Sequence, residues 1–425
     1  MTSLYIQAVI REVKIKYPIY SFFGDRVKYL MGLFSLISVN LFAQTPIPEV
    51  APALAKSAVV TEYPKIQVKG DLRHRIEQFD VGLKKSEEAD AAKKDPEPYW
   101  RSQTRARLRT IVQINETVRG TIGLATGPDN PVSANETMTG NFAIKSFSLN
   151  LAQLDFTLIP DLQFTVGKFD NPLPGIQGSS LVWDGDVRPE GEYIRYKKNF
   201  DDFTLVPTLA HFTMKETSRT STNPKATDNE LIAARLAVTT NLGPASVEAG
   251  YGIMNYSQLK GKEYAKYNVT VNSGNSTYTA ADAAGVATTY YGKDYELSEM
   301  YLGLTMKFLP APISFYYFSV SNSKSDNNKA SDIGLSYGTG KSGQDTFQVF
   351  ITKRKIEKDS LVDSFNEGDF AGTDVEALYT GLNYFISQGI NGAFTYWNRT
   401  KGLADDTKVN EVSTKNLRFD IGLSF

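Results

Sequence analysis

Arg105, Arg107 and Arg109 stand at every second position of the run RARLRTIVQI. Side chains alternate faces along an extended strand, so these three project one way while Ala106, Leu108, Thr110, Val112 and Ile114 project the other. A ladder of guanidiniums bordering water attracts anions and presents cations with a barrier. The same alternation places Arg73, Arg75, Arg119, Arg195, Lys197, Arg235, Lys307, Arg354 and Arg418 on polar faces, twelve basic residues in all with the first three. Against them stand five acids, Asp71, Glu77, Glu248, Glu299 and Asp420.

Other chemistry is poorly supplied. The chain has no Cys, which excludes disulfides, thiolate metal sites and a cysteine nucleophile. His74 and His211 are the only histidines, and no local signature joins either to an activated nucleophile and an orienting group, so no catalytic residue is assigned. Asp184 and Asp186 lie near Trp183 and Arg188, but two carboxylates fall short of the six to eight oxygens that calcium takes. No metal ligands and no cofactor are expected. The run LSYGTGKS at 335–342 ends like a phosphate-binding loop, yet Leu335 stands where that motif needs Gly, and a strand rather than a helix follows. With 46 Lys+Arg against 47 Asp+Glu, the chain offers no basic surface to nucleic acid.

The elements that carry these residues are strands. The chain has 23 Tyr, 24 Phe and 32 Gly, a mix that suits strands and turns, and no stretch from Ile66 onward sustains a helical apolar period. In LRFDIGLSF, at the carboxy terminus, Leu417, Phe419, Ile421, Leu423 and Phe425 share one face, while Arg418, Asp420, Gly422 and Ser424 share the other. One face suits lipid and the other water, the signature of a transmembrane β-strand. Sixteen such segments are read, at 66–79, 100–116, 117–127, 143–158, 162–170, 191–199, 202–216, 230–241, 245–257, 295–309, 312–322, 331–339, 344–357, 373–387, 389–401 and 409–425.

Short turns alternate with long polar connections between these segments, and backbone groups in hydrocarbon must all be paired, so the expected fold is all-β: a closed antiparallel transmembrane β-barrel with short periplasmic turns and long extracellular loops. Tyr99, Trp100, Tyr193, Tyr196, Phe200, Phe203, Tyr290, Tyr295, Tyr384 and Phe385 fall near strand ends and suit interfacial girdles. A barrel of this size leaves an aqueous channel rather than a packed interior. The wall is expected to be basic, with the acids Glu87, Glu88, Asp359, Asp363, Glu367 and Asp369 on outer loops.

Ahead of the barrel, residues 27–43 combine a basic flank, a short apolar run and a small residue at its end, which reads as a cleavable signal peptide within 1–43. The stretch before it reads as a long or misplaced start. Residues 44–65 carry Pro46, Pro48, Pro52 and Pro64 and read as a periplasmic linker, leaving 66–425 for the barrel.

The pieces GLATGPDNPVS at 123–133, LAQLDFTLIPDLQFTVGKFDNPLPG at 151–175 and LVWDGDVRPEG at 181–191 resemble the putative porin family of Gram-negative outer membranes, and VGKFDNP also resembles a segment of the phosphate-selective and related porins. The resemblance covers under a quarter of the exported chain. It implies a water-filled barrel for passive diffusion, often a homotrimer. Phe419, Ile421, Leu423 and Phe425 resemble the terminal signal that barrel-insertion machinery reads in bacterial outer membranes. By analogy with porins, connection 171–190, with Trp183, Asp184, Asp186 and Arg188, is the candidate constriction loop. The expected protein is therefore a porin in outer-membrane lipid and lipopolysaccharide, passing small hydrophilic solutes and ions with weak anion preference. The alternatives are a fatty-acid-type transporter for hydrophobic substrates, an outer-membrane hydrolase, and a structural or adhesin barrel.

Overall fold

A computed structural model describes residues 63–425 apart from 89, 91, 217–227, 265–273, 282–284, 308, 341–344, 371 and 405–409. The export segment expected over 1–43 and most of the linker 44–65 lie outside the described residues.

Among the described residues sixteen antiparallel strands close one sheet, and a two-residue strand, Glu136–Thr137, pairs onto its rim opposite Gln103 and Thr104. The sixteen are β1 Lys65–Val81, β2 Tyr99–Gln113, β3 Val118–Thr126, β4 Phe147–Ile159, β5 Leu162–Lys168, β6 Glu190–Tyr196 with its continuation Lys198–Asn199, β7 Phe203–Lys215 and β8 Asn229–Leu242. The second half comprises β9 Ala245–Tyr256, β10 Glu296–Met306, β11 Ile313–Asn322, β12 Lys329–Gly338, β13 Thr346–Ile356, β14 Val375–Ser387, β15 Ile390–Lys401 and β16 Val412–Ser424. Each pairs with its neighbour in sequence, and β16 returns to β1 with Ser424 opposite Asp71 and Ile421 opposite His74. Gly70 and Phe425 exchange both backbone hydrogen bonds at 3.0 Å, so the closing seam runs to the terminal residue.

All sixteen expected segments are strands. The largest shift is in β4, which starts at Phe147 rather than 143. Asn141 and Phe142 hold φ of 52° and 66°, in the left-handed region that no strand continues. The glycine-rich run at 335–342 enters β12, and its continuation is β13. Among the described residues there is no α-helix, and no helix is long and apolar enough to cross a membrane.

The alternation sorts side chains as expected. Leu72, Ile122, Leu154, Met300 and Ile421 point outward and stay between 45% and 61% exposed. A water-soluble sheet would cover such a belt; in a bilayer it faces acyl chains. Inward neighbours such as Arg75, Thr121, Asp155, Glu299 and Arg418 are buried.

The interior departs from the expectation of a wholly aqueous channel. Phe169, Leu173, Ile176, Leu181 and Trp183 from the β5–β6 connection pack against the wall residues Phe212, Leu231, Met254 and Phe318, and against Leu361 and Val362 of the β13–β14 connection. These connections fold inward because their apolar side chains find a matching surface only on the inner wall. Two residues expected in the interfacial girdle join that core: Tyr193 and Tyr295 are 7% and 0% exposed. Tyr290 lies instead on a separate hairpin, Thr277–Ala281 with Ala287–Tyr291, within the β9–β10 connection. Tyr99, Trp100, Phe200, Phe203 and Tyr384 remain exposed.

Candidate functional site

The arginine ladder is assembled by the β1–β2–β16 register. Arg105 lies opposite Arg73, Arg107 opposite Asp71 and Gln103 opposite Arg75; across the seam Asp420 lies opposite Arg75 and Arg418 opposite Glu77. Asp71 is shared, accepting from Arg105 Nη2 at 2.8 Å through Oδ1 and from Arg107 Nε at 2.6 Å through Oδ2. Arg75 grips Asp420 with Nε and Nη2 at 2.7 and 3.0 Å, the forked geometry that suits a carboxylate. Arg418 reaches Glu77 Oε2 at 3.4 Å and Asp369 Oδ1 at 2.6 Å. Farther round, Arg119 binds Asp155 at 2.9 Å, Arg235 binds Glu299 at 2.5 Å and Arg354 binds Asp332 at 2.7 Å.

Four expected basic residues differ from these. Arg73 donates through Nη2 to the amide oxygen of Asn135 at 2.6 Å. Arg195 hydrogen-bonds the carbonyl of Pro172 and lies 5.4 Å over the Tyr193 ring. Lys197 is exposed where β6 is interrupted. Lys307 keeps the inward parity one residue past the end of β10, exposed at the short-turn rim.

Connection 169–189 crosses the interior and is tied to strands far apart on the wall. The ties include Asp170 to Arg109 at 2.7 and 2.8 Å, Asp186 to Arg107 at 3.0 Å, and the carbonyl of Pro174 to Arg235 at 2.6 Å. Gln177 donates to the Phe315 carbonyl at 3.2 Å, and Ser179 donates to Asp332. Trp183 is buried edge-on to Phe212 at 5.9 Å. Arg188 Nε lies 3.2 Å from Asp170 and its Nη1 donates to the carbonyls of Gly185 and Val187.

Connection 357–374 meets it from the other side. The Asp184 N–H donates to the Phe365 carbonyl at 2.7 Å, and the Gly368 N–H donates to Asp184 Oδ2 at 3.3 Å. Burial, then the Glu367 and Asp186 charges, push the Asp184 carboxyl well above the usual carboxylate range. Burial and Asp369 raise Glu367 likewise, outweighing Arg354 and Arg418. Burial would also raise Asp186, but Arg105 and Arg107 and the Ala134 N–H hold it below its ordinary value. Arg418 and Arg75 overcome burial and lower Asp369.

The acids expected on outer loops are thus divided. Glu87 stays near the surface with Lys93, whereas Asp369 reaches the basic wall and Asp359 and Asp363 are buried. Asp359 accepts from Ser276 Oγ at 2.6 Å and from Tyr295 at 3.2 Å, and Asp363 from Tyr264, so these two hold the β9–β10 connection. Residue-by-residue alternation missed Asp170, Asp332 and Asp369 as partners of the ladder. One signal was present in 357–374: Leu361, Val362, Phe365 and Phe370 are too apolar for a loop left in water.

At the long-loop rim a cavity of about 540 Å³ is lined by Asn130, Ser148, Lys168, Trp183, Arg188 and Phe212. A second, of about 360 Å³, opens near the short turns beside Gln113, Arg119, Asp155 and Gln163. Among the described residues no group of acids and histidines is arranged to hold a metal ion. His211 shares the face opposite Ala210 and Phe212 and bonds Glu192 through Nδ1 at 2.9 Å.

Residues 78–290 match a family model described as "Putative porin". None of the curated proteins compared matches the sequence. Among solved structures, OprB of Pseudomonas putida is similar at 8% identity over 85% of this chain and 94% of that one, with a TM-score of 0.50. The loop L8 deletion mutant of OmpT of Vibrio cholerae is similar at 12% identity over 86% and 100%, TM-score 0.48. OmpF of Salmonella typhi in complex with daunomycin is similar at 11% over 85% and 98%, TM-score 0.46. The likeness to OprB is one of fold.

Proposed function

The chain belongs to the putative porin family and is an outer-membrane barrel, and from that premise we infer that it passes small hydrophilic solutes and ions by passive diffusion with a weak preference for anions. The observation that carries the anion preference is the inward arginine ladder. Its carboxylate partners neutralise most of it, which is why the preference is weak; Arg73 and Arg195, held by an amide and a carbonyl, keep the balance positive. Connection 169–189, tied to the wall from Arg109 round to Asp332, supports a role as the constriction.

The same reading makes the chain a channel and not an enzyme, supported by His211 facing outward, away from the lumen. Assembly as a homotrimer, contact with lipopolysaccharide and delivery by barrel-insertion machinery belong to it as well.

Purified, folded protein in a planar bilayer tests it. Stepwise conductance with an anion-selective reversal potential in a salt gradient is expected, and vesicle swelling should fall off with solute size. A cation-selective potential overturns the preference, and the absence of both current and swelling overturns diffusion.

A further inference from the structure

The barrel wall is notched at its outer rim. β4 and β7 run 13 residues each, whereas β5 and β6 between them run 7 each. The uppermost pairing of β4 with β5 is Ala152 with Lys168, and that of β6 with β7 is Gly191 with Phe212. Above these, the Phe169 N–H donates to the Pro189 carbonyl at 3.0 Å and the chain turns into the interior. Residues 147–151 therefore lie against β3 on one side and against no strand on the other. β4 and β7 stand three strand spacings apart, roughly 14 Å, which leaves the width of up to two strands. The cavity of about 540 Å³ fills this notch, with Ser148 and Leu149 on one bank, Thr213 and Met214 on the other, and Lys168 and Glu190 at the strand ends below. Its inner side is closed by Trp183, Phe212 and Leu231, members of the packed interior, so it is a pocket and not a length of channel.

We propose that the notch binds a short free peptide, laid as an added strand along residues 147–151 of β4. An unpaired strand edge is a template for another strand, and main-chain hydrogen bonds then supply the affinity. Alternate side chains of the added strand face inward, where Trp183 and Phe212, edge-on at 5.9 Å, seat an aromatic or large aliphatic residue. The two peptide termini meet charges of opposite sign on the cavity wall. Asp129 is exposed there and has no hydrogen bond or ion pair among the described residues, so its carboxylate suits an ammonium. Lys168, 2.7 Å from Glu190, suits the carboxylate. The free edge spans roughly 17 Å, the length of about five extended residues. The cavity has the volume of a small-ligand site and not of a folded partner, which commits the occupant to a free peptide. Because the pocket is closed on the lumen side, binding here goes beyond diffusion and does not depend on it.

The test titrates the detergent-folded full chain by calorimetry with the pentapeptide Ala-Ala-Phe-Ala-Ala, its termini free. Folding of each variant is checked by heat-modifiable gel mobility. Wild type is expected to bind the peptide. A version methylated on its backbone nitrogens keeps the ring and both charges but loses its main-chain donors, so it should bind at least about tenfold more weakly. Ser148→Trp fills the notch from an exposed position and should abolish binding in a barrel that still folds. Asp129→Asn should weaken the free peptide about threefold and leave its N-acetylated form unchanged. Equal affinity for methylated and unmethylated peptide, or equal affinity in wild type and Ser148→Trp, overturns the site. No binding by wild type also overturns it, and a change of oligomeric size in Ser148→Trp then assigns the edge to a second copy of the chain. Binding that follows the expected order in a barrel without current leaves the site standing and overturns diffusion instead.

Discussion

Arg354 and Asp332 sit opposite each other on β13 and β12 with side chains 4% and 0% exposed, and the guanidinium also lies 4.0 Å over the Phe370 ring. Tyr316 and Ser179 donate to the same carboxylate. Removing one partner of such a pair strands a buried charge, so Asp332→Ala is expected to cost about 3–5 kcal/mol, read as a lower urea midpoint in lipid vesicles. The Asp71 side chain is 23% exposed and lies nearer solvent, where its role is to damp the ladder. Asp71→Asn should leave Arg105 and Arg107 less compensated and move the salt-gradient reversal potential further toward anion selectivity. A shift toward cations would mean that the ladder does not face the permeating ions. The spacing of Arg105, Arg107 and Arg109 is plain in the sequence. Their partners are not: Asp170 is 61 residues from Arg109 and Asp186 is 79 from Arg107, and no local period links them.

Two connections decide what the barrel encloses. Asp184 joins them by accepting from the Gly368 N–H and donating its own N–H to Phe365, with Glu367 alongside. Both carboxyls are raised, so the folded joint holds protons more tightly than the unfolded chain; its stability is full at low pH and is lost as pH climbs through the raised values. Asp186 and Asp369 are lowered, and their ion pairs fail only as pH falls below the ordinary carboxylate range of about 4. Above that point the window belongs to Asp184 and Glu367. Single-channel conductance is therefore expected to rise as pH climbs above the ordinary carboxylate range and through the raised values, because the two charges repel across the joint, and Asp184→Asn should flatten the rise. An unchanged slope in that variant would remove Asp184 from the cause. Analogy with porins makes the first connection a candidate constriction. The second reads as an acidic outer loop from its charges, whereas Leu361, Val362, Phe365 and Phe370 carry the apolar surface that draws it inward.

On the scale of the whole barrel, closure and lipid contact dominate. Met300 points outward near the middle of β10 and is 54% exposed, so Met300→Arg should destabilise the folded barrel by about 2–4 kcal/mol in bilayers, whereas detergent should soften the effect. Phe425 closes the seam through its backbone pair with Gly70, and its ring continues the outward row of Phe419, Ile421 and Leu423. Deleting Phe425 is expected to lower the heat-modifiable, membrane-assembled fraction; an unchanged fraction would show that the seam and the insertion machinery do without it. The strand number, the neighbour-to-neighbour order and the lipid-facing side chains could be read from the sequence alone. A period of two is a local property, and antiparallel neighbours joined by short turns have one simple way to pair. The tertiary structure alone decided which carboxylate neutralises which arginine, that Tyr193 and Tyr295 leave the girdle for the interior, and how much of the lumen is filled. Those outcomes depend on where long loops come to rest, and a loop is placed by apolar surface and counter-charges on strands distant in the chain, which no local pattern records.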